Sequence, residues 1–596
     1  MTPEFNTVNA VDYALIALYF GIIVYVGFYA ARRNRSTGDY FAGGGKIPWF
    51  LAGLSNWVSG FSAFMFVAAA GFTYQHGIGA IVVFTSAAWS YFLGFLYFAR
   101  RWRRARLSAP LEFLTRRYSP STTYFYSITA IIPSIVGIGQ GLYILCIFVA
   151  SALGFVDRTF TIAGFSLSGF QVAVIITGSV MVLYTVAGGL WAAVLSDAVQ
   201  GVIICIMSLI ILPLSYLYLG SGDGIFAGLG RLWREAPPDF FRLTGNAADP
   251  WFLIGYAITV ILGYNVAWHL VQRYHSVPDE HGARKMALLC AGLSIFGPLL
   301  WILPVMAARV IFPDINSLWP QFANPAEASF VSLALMLLPH GMIGFVVSAI
   351  LSATLGQAND AFNWLAATVT HDIYVPLRRR LRGTAPNERQ QLLAARLTMA
   401  CVGVLGIAVA LYIPRFGGAF QFALIYFSLL TAFQMPVLLG MVFLRTPWWS
   451  GMAACIASAG VAITLMVLGW WSDHAFARNA ISIAITSTLV FGASAFWFRA
   501  DNPRHAALAR LEEDLRTPVV SDDPAARRGA LQVYGLIGHI CLLLGAVLAL
   551  CTFLPGSAVA PSTINLVAGI LLITLGLALR RFATRPDPAS FSPGQT

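Results

Sequence analysis

Long apolar stretches separated by short polar segments run through almost the whole chain. Each approaches or exceeds the roughly 20 residues that an α-helix needs to cross a bilayer. By this pattern they lie near residues 10–31, 48–73, 78–99, 123–153, 166–187, 190–219, 250–272, 285–312, 329–368, 392–413, 416–444, 449–471, 478–498, 530–554 and 561–580. The pattern predicts an all-α polytopic membrane protein with about 15 transmembrane helices.

Composition and charge agree with this prediction. Of the 596 residues, 58% are hydrophobic and 10% are charged, and the mean hydropathy is +0.74. If every stretch crosses, 30 of the 37 Lys and Arg residues share one side of the membrane. The positive-inside rule then predicts a plasma (inner) membrane protein with its N-terminus outside and its C-terminus cytoplasmic. Because the net charge of +12 is spread over short loop clusters, we expect no nucleic-acid partner.

The sequence lacks the motifs of secreted, disulfide-rich, metal-binding and enzymatic proteins. The N-terminus MTPEFNTVNAVDY lacks a basic segment before the first apolar stretch, which predicts an uncleaved helix. The seven cysteines form no CxxC or Cys/His cluster, so neither a metal site nor a disulfide scaffold is indicated. GxSxG, HExxH and P-loop motifs are absent in any plausible context. We therefore expect no enzyme and no cofactor.

The polar segments divide the chain into five parts. These are residues 1–46 (first helix and first cytoplasmic loop), 47–445 (the main block of apolar stretches), 446–498 (additional helices), 499–528 (cytoplasmic linker) and 529–596 (C-terminal hairpin and tail). ALARLEEDLRTPVV in the linker predicts a short amphipathic helix ended by Pro518. The outer loop 220–248 fits a surface helix, a lid or a solvated connector. The last two stretches fit a docking platform for a partner protein.

Two stretches carry polar and small residues near their middle. The second stretch has a cluster at Gly53, Ser55, Asn56, Ser59, Gly60, Ser62 and Ala63, and the seventh stretch has one at Gly263, Tyr264 and Asn265. Small residues allow close helix packing, but such a cluster also fits a helix that unwinds to line a site. The two stretches are five helices apart, and interruptions in corresponding positions are typical of an inverted-repeat transporter.

Four motifs then show a resemblance to a known family. They are DYFAGGGKIPWF at 39–50, YTVAGGLWAAVLSDAVQG at 184–201, VQRYHS at 271–276 and ATVTHDIYVPL at 367–377. Their order and spacing resemble those of the sodium:solute symporter family, which includes bacterial and animal transporters for glucose, proline, pantothenate and sialic acid. The similarity extends over about residues 10 to 445.

The resemblance implies a leucine-transporter-like fold of two five-helix inverted repeats, with one helix before them and about four after. It also implies a symporter that couples inward cation movement, of sodium or alternatively of protons, to uptake of a small polar solute by alternating access. The alternative from another class is a transporter-like membrane sensor without coupled transport. The solute itself is not revealed.

The resemblance places the ion site between the second and ninth stretches. It implies backbone carbonyl ligands from Val58, Phe61 and Ala353, and two side-chain hydroxyls at the positions of Gly356 and Gln357. Neither residue has a hydroxyl group, which is a departure from the family. A shift of the alignment by one residue would make Ser352 or Thr354 the hydroxyl donors.

Two acidic residues lie within apolar stretches. Asp360 follows Gly356 by one helical turn. A buried carboxylate is costly unless it binds a cation or a proton, so Asp360 fits a sodium ligand or a protonatable group. It also fits a structural residue that is paired with Arg or capped by Gln357 or Asn363. Asp197 fits either a group on the ion's exit path, as the resemblance implies, or a helix cap after the break at 188–189.

The solute site follows from the resemblance by position. The implied residues are Ser59, Gly60, Met65, Gln140, Tyr143, Tyr264, Trp268, His269 and Gln421. Tyr264 and Trp268 fit an aromatic wall or gate, or ordinary packing aromatics, and His269 fits a ligand or a packing residue. Arg273 is expected to anchor the cytoplasmic end of the seventh stretch.

Overall fold

The computed structural model describes most of the chain. The described residues are 5–6, 8–31, 45–61, 63–107, 111–156, 158–162, 164–185, 190–243, 249–468, 475–502, 506–520, 524–553 and 562–584. Within them, the protein is built of helices and one short antiparallel hairpin, in which β1 (Thr159–Ile162) pairs with β2 (Phe165–Ser168). The all-α class predicted from the apolar pattern is therefore confirmed.

The helices of the first half of the chain are α1 to α11. They are α1 (Ala10–Ala31), α2 (Trp49–Phe61), α3 (Ala68–His76), α4 (Gly79–Arg104, with a π-helical turn at Gly94–Phe98), α5 (Glu112–Arg117), α6 (Pro120–Ala152), α7 (Gly169–Thr185), α8 (Leu190–Leu219), α9 (Ile225–Glu235), α10 (Pro250–Val266) and α11 (Trp268–Ser276).

The second half completes the bundle and adds the C-terminal helices. They are α12 (Glu280–Ile311), α13 (Ile315–Leu318), α14 (Ser329–Leu337), α15 (Met342–Thr368, continued by a π-helical segment Val369–Tyr374), α16 (Val375–Arg382), α17 (Glu388–Tyr412), α18 (Ala419–Val442), α19 (Ser450–Val467), α20 (Ala475–Ser494), α21 (Ala506–Arg516), α22 (Pro524–Leu550) and α23 (Thr563–Ala583). A 3₁₀ turn at Pro325–Ala328 precedes α14.

Fewer helices are long enough to count as spans than the sequence pattern predicts. Among the described residues, nine helices are long and apolar enough to cross a membrane, and eleven when each of two bent pairs counts as one span. The other four predicted stretches correspond to α1, α7, α15 and α19, whose described apolar parts are shorter. The protein is an integral membrane protein, and the count of fifteen stays a prediction.

The predicted stretch 329–368 is two helices, not one. Helix α14 ends at Leu337 and α15 begins at Met342. Between them, Pro339 has no N–H group to continue a helix, and Gly341 has a φ of 89°, which favours glycine. The start of α15 is held by Asp12 of α1, whose Oδ1 accepts hydrogen bonds from the amides of Gly341 (2.8 Å) and Gly344 (2.9 Å).

The linker and the outer loop form the surface helices that the sequence allowed. The amphipathic helix α21 buries Leu508, Leu511 and Leu515, and its Asp514 pairs with Arg106 (2.7 Å) and Arg116 (3.1 Å). The outer loop contains the surface helix α9. Thus the linker packs against the end of α4 and against α5.

The C-terminal hairpin packs against the core of the protein. Helices α22 and α23 approach so closely that a Cβ at Gly569 would lie 2.6 Å from the carbonyl oxygen of Gly545. The amide of Asn565 on α23 donates to the His340 carbonyl before α15 (3.1 Å). A partner protein at this hairpin stays a prediction.

Candidate functional site

Two helical spans are broken where the sequence clusters predicted. The first changes direction by 47° between Trp49–Gly60 and Ala63–His76. The second changes direction by 41° between α10 and α11, at Ala267, whose backbone is extended (φ −63°, ψ 124°). A helix break leaves carbonyl and amide groups without their helical partners, so each break offers backbone polar groups inside the bundle.

The two breaks contact each other. The Tyr264 hydroxyl donates a hydrogen bond to the Gly60 carbonyl oxygen over 3.3 Å. A Cβ at Gly60 would lie 2.7 Å from Cε1 of Tyr264, so only glycine allows this approach. The small and polar residues of the second stretch therefore allow the two spans to approach closely at the point where the helix is interrupted.

Side chains from neighbouring helices satisfy other groups around the breaks. Asn56 donates to the Leu270 carbonyl (3.0 Å) and accepts from the Tyr91 hydroxyl (2.8 Å). The indole of Trp102 donates to the carbonyl of Asn265 (2.8 Å). These bonds fix α2, α4 and α11 relative to one another because buried backbone groups are costly without partners.

A cavity of about 330 Å³ lies beside the two breaks. Its lining comes from both broken spans and from α4, α6, α15 and α18. The polar part includes three amide side chains, Gln140, Gln357 and Gln434, while aromatic rings supply much of the rest. Among the described residues, no Asp, Glu, Lys or Arg lines the cavity.

Aromatic rings pack together at one end of this cavity, and we call them the aromatic cluster. Its members are Phe64, Phe72, Phe84, Phe252, Tyr256 and Phe420. Ring centroids lie 4.7 Å apart for Phe72 and Phe420, and 6.1 Å apart for Phe72 and Phe252. Phe64 lies at the first break. The other members join α3, α4, α10 and α18 near the ends of these helices, where the N-out topology predicts the outside of the membrane.

A buried ion pair lies on the other side of the first break. Asp197 of α8 and Arg273 of α11 are both 0% exposed, and Nη2 of Arg273 lies 3.1 Å from Oδ2 of Asp197. Ser55 donates to the same carboxylate oxygen (2.6 Å), and the guanidinium donates to Ser55 (2.8 Å) and Ser59 (2.8 Å). The pair has no net charge, and its hydrogen bonds compensate part of the cost of burial.

The carboxylate of Asp197 lies against Gly356, one of the two positions without a hydroxyl. A Cβ at Gly356 would lie 2.7 Å from Oδ1 of Asp197. A side chain at this position would therefore occupy the space that the carboxylate oxygen fills. Hence α8 brings an oxygen close to the place where the resemblance implies a hydroxyl from α15.

Some predicted ion-site residues fall outside the described part of the structure. Phe61 ends α2, and Ala353 and Asp360 lie within α15, but their side chains are outside the described residues, as is that of Ser352. Thr354 lines the cavity, and its hydroxyl donates to the Ile350 carbonyl (3.1 Å). The role of Asp360 therefore stays a prediction.

Most of the predicted solute residues are brought together in the cavity wall. These are Ser59, Gly60, Met65, Gln140, Tyr264, Trp268 and His269, together with Gln357 from the predicted ion set. Val58 is buried, and a Cβ at Gly201 of α8 would lie 2.7 Å from its side chain. Assignment of any of them to solute or ion binding stays a prediction.

Two predicted solute residues lie apart from the cavity. Gln140 and Ile144, one turn apart on α6, face it, so Tyr143 is turned toward α7 and packs edge-on against Phe170 (5.5 Å). Gln421 is exposed near the start of α18, next to Phe420 of the aromatic cluster. Their assignment to solute binding stays a prediction.

Sequence reasoning missed several residues that the folded chain brings to this region. Gln434, Tyr426 and Phe427 line the cavity from α18. Gln434 is a lone amide in the apolar segment TAFQMPVLL, which is a signal that could have found it. The pairing of Arg273 with Asp197 was also missed, since the two residues are 76 positions apart.

The broken spans and the cavity between them define the class of the protein as an integral membrane transporter. A family model for the sodium:solute symporter family matches residues 40–458. The chain therefore belongs to the sodium:solute symporter family, as the four motifs predicted.

Individual relatives are similar to this chain at low sequence identity. The sodium/sialic acid symporter NanT of Aliivibrio fischeri is 24% identical over 420 residues, covering 69% of this chain and 78% of that protein. The sodium/myo-inositol cotransporter of Homo sapiens is 23% identical over 459 residues, covering 69% and 60%. This chain thus spans less than two thirds of the human protein's length. Both names describe transporters, which are not enzymes, and neither supports the sensor alternative.

A solved structure shows the same fold. The substrate-bound, outward-open state of a Na⁺-coupled sialic acid symporter matches with a TM-score of 0.67 at 20% identity, covering 82% of this chain and 98% of that chain.

Proposed function

We propose that the protein is a secondary active symporter that couples inward cation movement to uptake of a small, uncharged, polar solute. The observation that carries this proposal is the contact between two broken helices beside a cavity with no charged wall among the described residues. Broken helices of this kind supply backbone groups to substrates and ions at mid-membrane.

The chemistry of the cavity wall supports an uncharged solute. Gln140, Gln357 and Gln434 each offer both donors and acceptors, which suits hydroxyl or amide groups of a solute. Aromatic rings such as Tyr264 and Trp268 suit its apolar faces. A carboxylate solute would require a cationic partner, and the nearby Arg273 is already paired with Asp197.

The coupling cation belongs near Asp197 and Gly356. A sodium ion requires hard oxygen ligands, and Asp197 brings a carboxylate oxygen to the position where Gly356 has none. Ser59 and the carbonyl groups in the last turn of α2, which lack helical partners because the helix ends at Phe61, add further oxygens on the same side. A cation that binds Asp197 competes with Arg273 for the carboxylate, so cation binding would loosen α11 from α8.

Alternating access then corresponds to opening and closing of the aromatic cluster. We infer that the described conformation is closed to the outside, because the cluster seals the end where α4, α10 and α18 begin. The lining continues in the opposite direction to Tyr126 and Val437. In this proposal the two broken spans are the first helices of two inverted repeats in a bundle of about 15 helices.

Uptake by the purified full-length protein in proteoliposomes tests the proposal. Radiolabelled neutral polyols, sugars and amides, with small carboxylates for comparison, are offered with an inward sodium gradient, an inward proton gradient or no gradient. We expect accumulation of at least one neutral solute above equilibrium only with a cation gradient. Solute binding without any gradient-driven accumulation would favour the sensor alternative, and accumulation of only anionic solutes would contradict the uncharged class.

A further inference from the structure

A second buried acid lies at the closed end of the cavity, away from Asp197. Glu327 is in the 3₁₀ turn Pro325–Ala328, in the connection between α12 and α15, outside the spanning helices. It is 1% exposed although it is the acidic residue of a loop. The proposed symport mechanism assigns no role to this carboxylate.

Glu327 joins three elements that meet at this end. Its Oε1 accepts a hydrogen bond from the Phe420 amide (3.1 Å) at the start of α18. Its Cγ would lie 2.8 Å from a Cβ at Gly71 of α3, so α3 packs directly on this residue. The ring of Phe420 belongs to the aromatic cluster and lies 4.7 Å from that of Phe72. The carboxyl group therefore ties the turn to two of the helices that hold the cluster.

The two oxygens of Glu327 have unequal surroundings. Oε1 lies at the N-terminus of a 24-residue helix, where free amides and the helix dipole favour an acceptor. Oε2 is buried and accepts no hydrogen bond from the described residues. A buried acceptor without a partner is costly, and its cost is greater when the group is ionised.

We propose that Glu327 is a proton-binding site that controls the outer end of the cavity, protonated when the aromatic cluster is closed and ionised when it opens. With a proton on Oε2, the carboxyl group is neutral in its buried place while Oε1 still accepts from the Phe420 amide. Opening would admit water to the turn and hydrate the ionised carboxylate. This inference concerns access to the cavity and holds for any solute or coupling ion.

The electrostatics of the turn support this assignment. Burial raises the pKa of Glu327 to about 7, although hydrogen bonds from the amides of Ala419 and Phe420 and from Asn324 lower it in part. A hydrated carboxyl has a pKa near 4.3. Because the closed form has the higher pKa, protons stabilise it, and that stabilisation is lost as the pH rises through about 7.

The other titratable groups around the turn give Glu327 no counter-charge. The elements packed against the turn are α3, α6, α13 and α14. Helix α3 carries the titratable side chains of Tyr74 and His76, and α6 carries those of Tyr124, Tyr126, Tyr143 and Cys146. Among these, Tyr143 interacts electrostatically with Glu327 but supplies no positive charge. The hydroxyl of Tyr74 donates to the Phe312 carbonyl and accepts from Arg309 (3.0 Å), while the His76 ring packs at a tilt against that of Phe72, with centroids 4.6 Å apart. Arg415, which precedes α18, lies over the Tyr412 ring (4.5 Å). No cation among these described groups pairs with Glu327.

Hydrogen–deuterium exchange of the full-length protein in nanodiscs tests the inference without solute or ion gradient. Protection factors, from which the intrinsic pH dependence is removed, are compared between about pH 5.5 and pH 8.5. In the wild type we expect about tenfold lower protection at the higher pH in peptides covering 320–335 and 415–424. Unchanged protection in both wild-type peptides would overturn the proposal.

The variant Glu327→Gln is neutral at every pH and keeps an acceptor for the Phe420 amide. It is expected to keep high protection in both peptides across the pH range. The matched control Glu235→Gln alters an exposed outer acid on α9 and should retain the wild-type response. A pH response that persists in a folded Glu327→Gln protein would refute the assignment. If that variant does not fold, the wild-type result decides, and neither outcome depends on transport.

Discussion

Asp197 and Glu327 are both buried carboxylates, yet the protein accommodates them by different physical means. Asp197 has a full counter-charge, since Arg273 lies 3.1 Å away and both side chains are completely buried. Glu327 has backbone amides and a neutral amide side chain as partners, and one of its oxygens is buried without a hydrogen bond from the described residues. The first group is stabilised as an ion, whereas the second is stabilised as a neutral acid.

The difference indicates which ligand each acid can bind in response to a change in conditions. A carboxylate that stays ionised beside a displaceable guanidinium can exchange one cation for another. A carboxyl group held near neutral by burial responds to protons within the physiological range. We therefore expect cations to act mainly at Asp197, beside the first break, and pH to act mainly at Glu327, in the turn before α14.

Removing the counter-charge should have the largest effect. Arg273→Ala leaves the Asp197 carboxylate buried without its partner, and breaking a buried pair costs about 3–5 kcal/mol. We expect poor recovery of folded protein, or a large fall in unfolding temperature in detergent, measured by fluorescence and size exclusion.

A double variant is the control for this result. Asp197→Asn with Arg273→Gln removes both charges and keeps polar groups at both places, so most of the stability should return. Cation dependence of uptake should not return, because no carboxylate remains. Equal damage from the single and double variants would show that charge balance is not what holds these helices.

This pair also marks the limit of what the sequence could predict. The breaks were predictable because Gly, Ser and Asn concentrate in the middle of two otherwise apolar stretches. The pairing of Asp197 with Arg273 was not, since it depends on how α8 packs against α11. Periodicity places a residue on a face of its helix but does not select the neighbouring helix.

Glu327 was missed for a different reason. In the sequence FANPAEASF, an acid beside Pro and Asn resembles a solvated loop residue. Its burial arises from the close approach of α3 at Gly71, which only the folded arrangement shows. The split of the predicted stretch 329–368 has a local cause, Pro339 and Gly341, which the apolar pattern outweighed.

A methyl group at position 356 should test the approach of Asp197 to α15. In Gly356→Ala, the new Cβ would lie 2.7 Å from Oδ1, so the carboxylate must move. We expect a loss of stability of about 1–3 kcal/mol and an increase of at least about tenfold in the sodium concentration for half-maximal thermal stabilisation.

Gly356→Ser distinguishes the effect of displacing the Asp197 carboxylate oxygen from the effect of the added side-chain volume. It is at least as large as alanine but supplies a hydroxyl, so the sodium response should recover relative to Gly356→Ala while the stability does not. If the two variants show the same sodium response, the carboxylate of Asp197 is not the oxygen that matters for the cation at this position.

The smallest expected effect concerns the tuning of Glu327. Asn324 donates to Oε1 over 3.5 Å, and this hydrogen bond lowers the pKa of the carboxyl group slightly. Asn324→Ala should raise the pH midpoint of the exchange response at 320–335 by a few tenths of a unit. Because Asn324 also accepts from Gln75 (3.1 Å), Gln75→Ala is the control for general loosening of the turn. A midpoint that moves equally in both variants would mean that contact between the turn and α3, and not the hydrogen bond to the carboxylate, sets the response of Glu327 to protons.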